Sequence, residues 1–144
     1  MDAQLNITGK DVNKRFNNEM TALHIAAELH LLEAAKWLIN KGADLEAKEI
    51  VGWTPLHHAA TVDSVDVARL LIDRGAKVDA KTSFGDTPLN MAAVGNNLKV
   101  AQLLIDNQAD KNIKNNYGLK PIDWATSSEM FQLLGSQDGS CKRP

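Results

Sequence analysis

The chain has 144 residues and a net charge of -2, and its residues are 44% hydrophobic, 24% charged and 5% aromatic, as is usual for one soluble globular domain. The longest apolar run, Met91 to Val94, has four residues, which excludes a transmembrane helix because a bilayer span needs about 20. Neither the near-neutral charge nor any basic run favours nucleic acid as a partner.

The single cysteine, Cys141, excludes an internal disulfide framework and a zinc site built from several thiolates. The first residues lack the basic stretch and apolar core that mark a signal peptide. We therefore expect a cytoplasmic protein. A nuclear location, or the host cytosol if the chain is a bacterial effector, stays open as an alternative.

The sequence repeats every 33 residues. The tetrapeptide Thr-Ala-Leu-His at residue 21 recurs in related form at 54, 87 and 120, and a second landmark at Gly9 recurs at 42, 75 and 108. Two landmarks in constant register indicate a repeat protein. The predicted units are 1–15 (partial), 16–48, 49–81, 82–114 and 115–134 (a terminal cap), and 135–144 is a predicted disordered tail.

The partial unit comes first along the chain. Residues 1–15 can supply only the end of a second helix and its loop. The chain therefore either begins abruptly or is a fragment of a longer array, and the exposed end at 16–48 is expected to fray first.

Each full unit is predicted to hold two short helices. The first helix begins at a Thr, whose hydroxyl caps free amides, and Pro follows it in two of the units. Paired alanines then let neighbouring helices approach closely. The second helix carries an apolar stripe, such as Ala34, Trp37 and Leu38, and ends at Gly42 or its equivalent Gly75.

The turn between the two helices is predicted to need a positive φ. Its equivalent residues are His30, Asp63 and Asn96, which are residue types that tolerate this conformation. The terminal unit departs from the pattern, because Lys120 replaces Thr and Leu133-Leu134 come three residues early, as expected of a shortened cap.

These motifs resemble the ankyrin repeat family, whose signature includes Thr-Pro-Leu-His-x-Ala, and the resemblance is most complete from Gly52 to Ala60. It covers roughly residues 5–134. The resemblance implies an all-α fold, an ankyrin repeat solenoid of stacked helix-turn-helix units with hairpin-like loops. It also implies a non-enzymatic, monomeric module that binds another protein through a concave face made by the loops and first helices.

No residue pattern indicates an enzyme, a cofactor or a metal site. His24 and His57 are expected to bridge backbone groups of neighbouring loops, because buried polar groups need hydrogen-bond partners. His58 is expected to serve packing. Cys141 has no positioned base beside it, and no Gly-rich phosphate loop is present.

Large apolar side chains recur around the loop glycines and at the ends of the first helices, and exposed apolar patches usually mark interaction sites. The predicted partner-binding residues are Met20, Leu29, Ile50, Val51, Trp53, Val62, Phe84, Asp86, Tyr117 and Leu119.

Trp53, Phe84 and Tyr117 come from consecutive units and are expected to line one edge of the groove. Phe84 and Tyr117 precede their glycines and could equally seal the hairpins. Trp53 and Met20 follow the glycine position, where we expect more exposure.

Two other functions stay open. The chain could be a regulatory or targeting segment of a larger protein, or a secreted bacterial effector, since its asparagine-rich composition fits an AT-rich genome. It could also be the substrate of an asparaginyl hydroxylase. The pattern of such ankyrin substrates fits Leu5, Asp11, Val12 and Asn13, and fits Leu104, Asp110 and Asn112 in part, but does not fit Glu46 or Asp79.

Overall fold

The computed structural model describes residues 11–135, and within this range every regular element of secondary structure is a helix. The predicted tail beyond residue 135, including Cys141, and Leu5 lie outside the described residues. The α-helices are α1 (Ala22–Glu28), α2 (Leu32–Asn40), α3 (Pro55–Thr61), α4 (Val65–Asp73), α5 (Pro88–Val94), α6 (Leu98–Asp106) and α7 (Ser128–Gly135). Short 3-10 turns lie at Asn17–Glu19 and Pro121–Trp124.

The first helices begin where the sequence predicts. The hydroxyl oxygens of Thr21, Thr54 and Thr87 accept a hydrogen bond from the backbone N–H three residues later, at 3.5, 3.4 and 3.2 Å. Each Thr therefore satisfies an amide that the helix itself leaves free.

Positive φ angles close the turns, as predicted. His30, Asp63 and Asn96 have φ values of 60°, 56° and 56°. Gly42 and Gly75 end α2 and α4 at φ 98° and 101°, and Gln108 takes the same left-handed role after α6 at φ 71°.

The helices stack in two layers. The first layer contains α1, α3, α5 and the turn Pro121–Trp124, and the second contains α2, α4, α6 and α7. The paired alanines of the first layer are fully buried, which allows the close approach that the sequence predicts. Fully buried leucines of both layers fill the space between them; these are Leu23, Leu38, Leu56, Leu71, Leu89 and Leu104.

Trp37 departs from the predicted buried stripe. Its side chain is 40% exposed, whereas the equivalent Leu70 and Leu103 are 9% exposed. An indole is larger than the space that a leucine fills at this position, so part of the ring lies outside, with the Lys41 ammonium 5.8 Å from the ring centroid.

The terminal unit also differs from the others. Its first element is the 3-10 turn Pro121–Trp124, whereas each preceding unit has an α-helix there. Lys120 has no side-chain acceptor for the free amides, and the alanine pair of earlier units is reduced to Ala125 followed by Thr126. Both losses disfavour an α-helix here, which fits the short 3-10 turn.

Candidate interaction surface

The loops between units form one continuous surface, which we call the loop edge (residues 16–20, 49–53, 82–86 and 115–119). Each loop is closed by a backbone hydrogen bond from the N–H of its first residue to the carbonyl of its last. These bonds measure 2.7, 3.0, 2.9 and 2.9 Å in chain order. Each loop is thus a narrow hairpin that projects from the start of a first helix.

Neighbouring loops are also joined to one another. The N–H groups of Ile50, Ser83 and Asn116 donate to the carbonyls of Asn18, Val51 and Phe84 at 2.9, 3.1 and 2.9 Å. One such bond between each pair of loops fixes their relative position, so side chains at equivalent positions recur at a regular spacing along the edge.

A buried side chain holds the tip of each full loop from inside. Glu49 accepts hydrogen bonds from the N–H groups of Val51 and Trp53 at 2.7 and 3.3 Å. Thr82 and Asn115 hold the next two loops in the same way, with distances from 2.8 to 3.2 Å. Because these three side chains point inward, the residues on either side of them point outward.

The two repeat histidines bridge neighbouring loops, which confirms the prediction. Nδ1 of His57 accepts from the N–H of Thr54 at 3.0 Å, so its Nε2–H donates to the carbonyl of Asp86 at 2.9 Å. His24 repeats the arrangement one unit earlier, at 3.0 and 2.8 Å. Burial lowers the pKa of each histidine from 6.5 to about 4, although the carbonyl hydrogen bond acts in the opposite direction.

His58 packs, as expected, and is also held by two carboxylates. Its ring lies against Trp53, with centroids 4.9 Å apart, and edge-on to His24 at 5.4 Å. Its Nδ1 is 3.3 Å from the Glu28 carboxylate and its Nε2 is 3.3 Å from the Glu49 carboxylate. Among residues 11–135, no group of three or more His, Cys, Asp or Glu side chains is placed to hold a metal ion.

Five of the ten predicted partner-binding residues are well exposed. The exposed fraction is 58% for Leu29, 64% for Ile50, 37% for Val51, 47% for Phe84 and 71% for Tyr117. The other five are partly buried: Met20, Trp53, Val62, Asp86 and Leu119.

The expectation that Trp53 and Met20 are more exposed than Phe84 and Tyr117 was wrong, because both are partly buried. The Trp53 ring turns back onto His58 and His57, so it seals the space beneath its loop.

At the loop tips, the residue equivalent to Phe84 and Tyr117 is Val51. We call the series Asn18, Val51, Phe84 and Tyr117 the tip column.

Asp86 also has a role within the stack. Its Oδ1 accepts from Nδ2 of Asn115 in the following loop at 2.9 Å, and Nδ2 of Asn90 lies 3.5 Å away. Its carboxylate therefore joins two units, and only its remaining acceptor capacity is open to a partner.

Val94 is not among the ten predicted partner-binding residues, although it belongs to the same exposed surface. It lies at the end of α5 and is 52% exposed. Comparison of its equivalents, Glu28, Thr61 and Ser127, could have found it, because a valine among polar residues at one repeat position has no evident role in folding.

The candidate modification site Asn13 is engaged between units. Its Oδ1 accepts from the N–H of Asp44 at 2.8 Å, and its Nδ2 donates to the carbonyl of Gly42 at 3.4 Å. The backbone N–H of Asn112 donates to the carboxylate of Asp110 at 2.8 Å. Hydroxylation of Asn13 would first require release of its side chain from the neighbouring unit.

Glu46 and Asp79 occupy the positions equivalent to Asn13. They accept from the N–H groups of Lys77 at 2.9 Å and Asp110 at 3.1 Å. Burial raises the pKa of Asp79, and the nearby Asp110 charge acts in the same direction while the N–H group opposes it. The shared function of this position is to join one unit to the next.

A shallow groove lies on the opposite side of the molecule, between α6 and α7. Three apolar and five polar residues line it: Leu98, Ile105 and Leu133, with Lys99, Gln102, Lys111, Glu129 and Gln132. The groove is open to solvent, whereas small-molecule sites usually enclose most of their ligand.

Within residues 11–135, no helix has both the length and the apolar character needed to cross a bilayer. The stacked helix pairs and the projecting loops define a helical repeat protein of solenoid form.

Comparison with family models identifies the type of repeat. A model of ankyrin repeats (3 copies) matches residues 2–82, and a model of ankyrin repeats (many copies) matches residues 71–125. The chain belongs to the ankyrin repeat family, as the sequence motifs predict. Ankyrin repeats are generally protein–protein interaction modules and are typically non-enzymatic. A search of curated proteins found no match.

Proposed function

We propose that this protein is a non-enzymatic module that binds another protein through the loop edge and the exposed ends of the first helices. The tip column supports the proposal most strongly. Val51, Phe84 and Tyr117 are exposed apolar side chains at one repeat position, and backbone hydrogen bonds between the loops hold them in a row.

Folding gives no reason for this exposure. The loops are held by their backbone bonds and by the inward side chains of Glu49, Thr82 and Asn115. Rings at the tips are therefore free to serve a partner. Large aromatic side chains are common among the residues that contribute most binding energy in protein interfaces.

Leu29 and Val94 extend the apolar surface beyond the loops. They lie at the ends of α1 and α5, in the layer from which the loops project. A partner that contacts both the tips and these helix ends would lie across several units, so its affinity would depend on the stack as a whole.

The test is affinity capture from an extract with the wild type and a Phe84→Ala/Tyr117→Ala variant. The loss of two aromatic anchors should lower the affinity for the captured partner at least thirtyfold, because one anchor contributes about 2 kcal/mol. Trp53 is unsuitable for this test, since its removal would disturb the packing of His57 and His58.

The matched control is Phe131→Ala, which removes an exposed aromatic side chain of α7 in the second layer. It should capture the same partner as the wild type. Equal capture by all three proteins, or loss only in the control variant, would refute binding through the loop edge.

A further inference from the structure

A column of basic residues follows the loop edge. Arg15, Lys48, Lys81 and Lys114 recur every 33 residues, and all four are exposed. Among residues 11–135, none of the four forms an ion pair with a carboxylate. We call this set the basic column.

The basic column faces outward together with the loops. The residue that follows each of the three lysines is the inward one: Glu49, Thr82 or Asn115. Residues on either side of an inward residue in an extended segment point to the opposite face. Lys48 and Ile50 thus share the outward face in one loop, as Lys81 and Ser83 do in the next.

Hydrogen bonds hold two of the cations along the stack. A guanidinium nitrogen of Arg15 donates to the carbonyls of Glu19 at 2.8 Å and Lys48 at 2.7 Å. The Lys48 ammonium donates to the carbonyl of Lys81 at 3.1 Å. These carbonyls are neutral acceptors, so the positive charges remain uncompensated.

The spacing of the charges follows from the loop geometry. Each hairpin contributes two chain segments, and hydrogen-bonded segments lie about 4.8 Å apart, so equivalent residues recur about every 10 Å. This is about one Debye length at 0.1 M salt, so the potentials of neighbouring cations overlap. The four cations thus precede the loops in a row, and the carboxylates within the loops are those of Glu19, Glu49 and Asp86. The Glu49 carboxylate is turned inward onto a loop N–H group and His58, and the Asp86 carboxylate accepts from Asn115.

We propose that the partner segment is an acidic peptide with apolar side chains, which lies along the loop edge. Its carboxylates pair with the basic column and its apolar residues contact the tip column. In a polyproline II segment every third residue lies on the same side and recurs about every 9 Å, close to the spacing of the cations. This inference rests on the proposed function and specifies the chemistry of the partner.

A protein segment fits this surface better than a nucleic acid does. The exposed apolar residues include aliphatic side chains, Ile50, Val51, Leu29 and Val94, which offer no flat ring on which a base could stack. Among the exposed residues of the loop edge in the described part of the chain, only Phe84 and Tyr117 offer such a ring. One cation per 10 Å is also sparse beside the charge density of a phosphate backbone.

The experiment selects binders from a phage-displayed library of random 12-residue peptides on the immobilised wild-type chain. The selected peptides should be enriched in Asp and Glu and should contain aromatic or aliphatic residues. Their affinity, measured by fluorescence anisotropy, should fall as the salt concentration rises.

Three variants locate the binding. Lys48→Gln/Lys81→Gln/Lys114→Gln should lower the affinity about tenfold, because exposed charge pairs contribute modestly one by one and three are removed. The control Lys36→Gln/Lys41→Gln/Lys99→Gln removes the same charge from the second layer, and its affinity should stay within about twofold. Phe84→Ala/Tyr117→Ala should also lose affinity.

The outcomes separate the two proposals. Two results would refute an acidic partner segment and leave the proposed function standing. One is the selection of neutral or basic peptides. The other is wild-type affinity in the Lys48/Lys81/Lys114 variant together with a loss of affinity in the Phe84/Tyr117 variant. Wild-type affinity in both variants would overturn the proposed function. The proposal of an acidic peptide partner would also be refuted if no peptide were enriched, or if a 20-nucleotide oligothymidine bound more tightly than the peptides.

Discussion

Acidification from pH 7 to pH 4.5 is expected to lower the free energy of unfolding by roughly 5 kcal/mol through His24 and His57 alone. Both rings are fully buried, and burial lowers their pKa from 6.5 to about 4. The folded protein therefore resists protonation at these sites, whereas the unfolded chain accepts protons below pH 6.5. Stability is full above pH 6.5 and falls as the pH decreases toward 4.

This loss is large against the total stability of a typical domain, which is about 5–15 kcal/mol. Urea unfolding at pH 7 and pH 4.5, followed by circular dichroism, measures it directly. The wild type should unfold at a much lower urea concentration at pH 4.5.

The control replaces both histidines, as His24→Asn/His57→Asn. Asparagine is a reasonable substitute, because Asn90 is fully buried at the equivalent position and accepts from the Thr87 hydroxyl at 2.9 Å. All other ionisable groups are common to both proteins. Equal pH dependence in the wild type and the double variant would show that the two histidines do not cause it.

Gly52→Ala is expected to lower the free energy of unfolding by about 3 kcal/mol. Gly52 has φ 84°, which strains any residue with a Cβ. An added Cβ would also lie 2.6 Å from the backbone nitrogen of Ser83 in the next loop, so the two loops would have to separate. Urea unfolding at pH 7 gives the value.

Gly118→Ala is the matched control. Gly118 has φ 80°, but nothing lies within 4 Å of its added Cβ among the described residues. Its substitution should cost only the conformational strain, about 1–2 kcal/mol. An equal cost at both sites would mean that close contact between loops contributes little.

The first loop has no glycine at this position. Glu19 takes its place at φ 64°, and Asn18 before it also has a positive φ of 63°. Two successive positive φ values give this loop a different turn from the later loops, in which only the glycine has a positive φ.

Much of the fold could be predicted from the sequence, because its determinants are local and recur. The Thr caps, the positive φ at His30, Asp63 and Asn96, and the histidine bridges each depend on one residue type at one repeat position. The 3-10 turn at Pro121–Trp124 was harder to predict, since it reflects the loss of several small contributions.

The candidate surface was predicted only in part. The sequence places Trp53 next to its loop glycine, but does not show that the ring turns inward, because this depends on the space beside His58. The 33-residue spacing of the basic column can be read directly from the sequence. That these cations point outward follows from the inward orientation of Glu49, Thr82 and Asn115, and this orientation is seen only in the folded loops.

Binding of a partner protein through the loop edge is tested most directly by NMR. The backbone amide signals of the isotope-labelled wild-type chain are recorded before and after addition of the unlabelled partner that it captures. We expect the backbone amide signals of residues 48–52, 81–85 and 114–118 and of the ends of α1 and α5 to shift on binding, while the signals of α2, α4 and α6 stay unchanged. Shifts confined to α2, α4, α6 and α7 would contradict it.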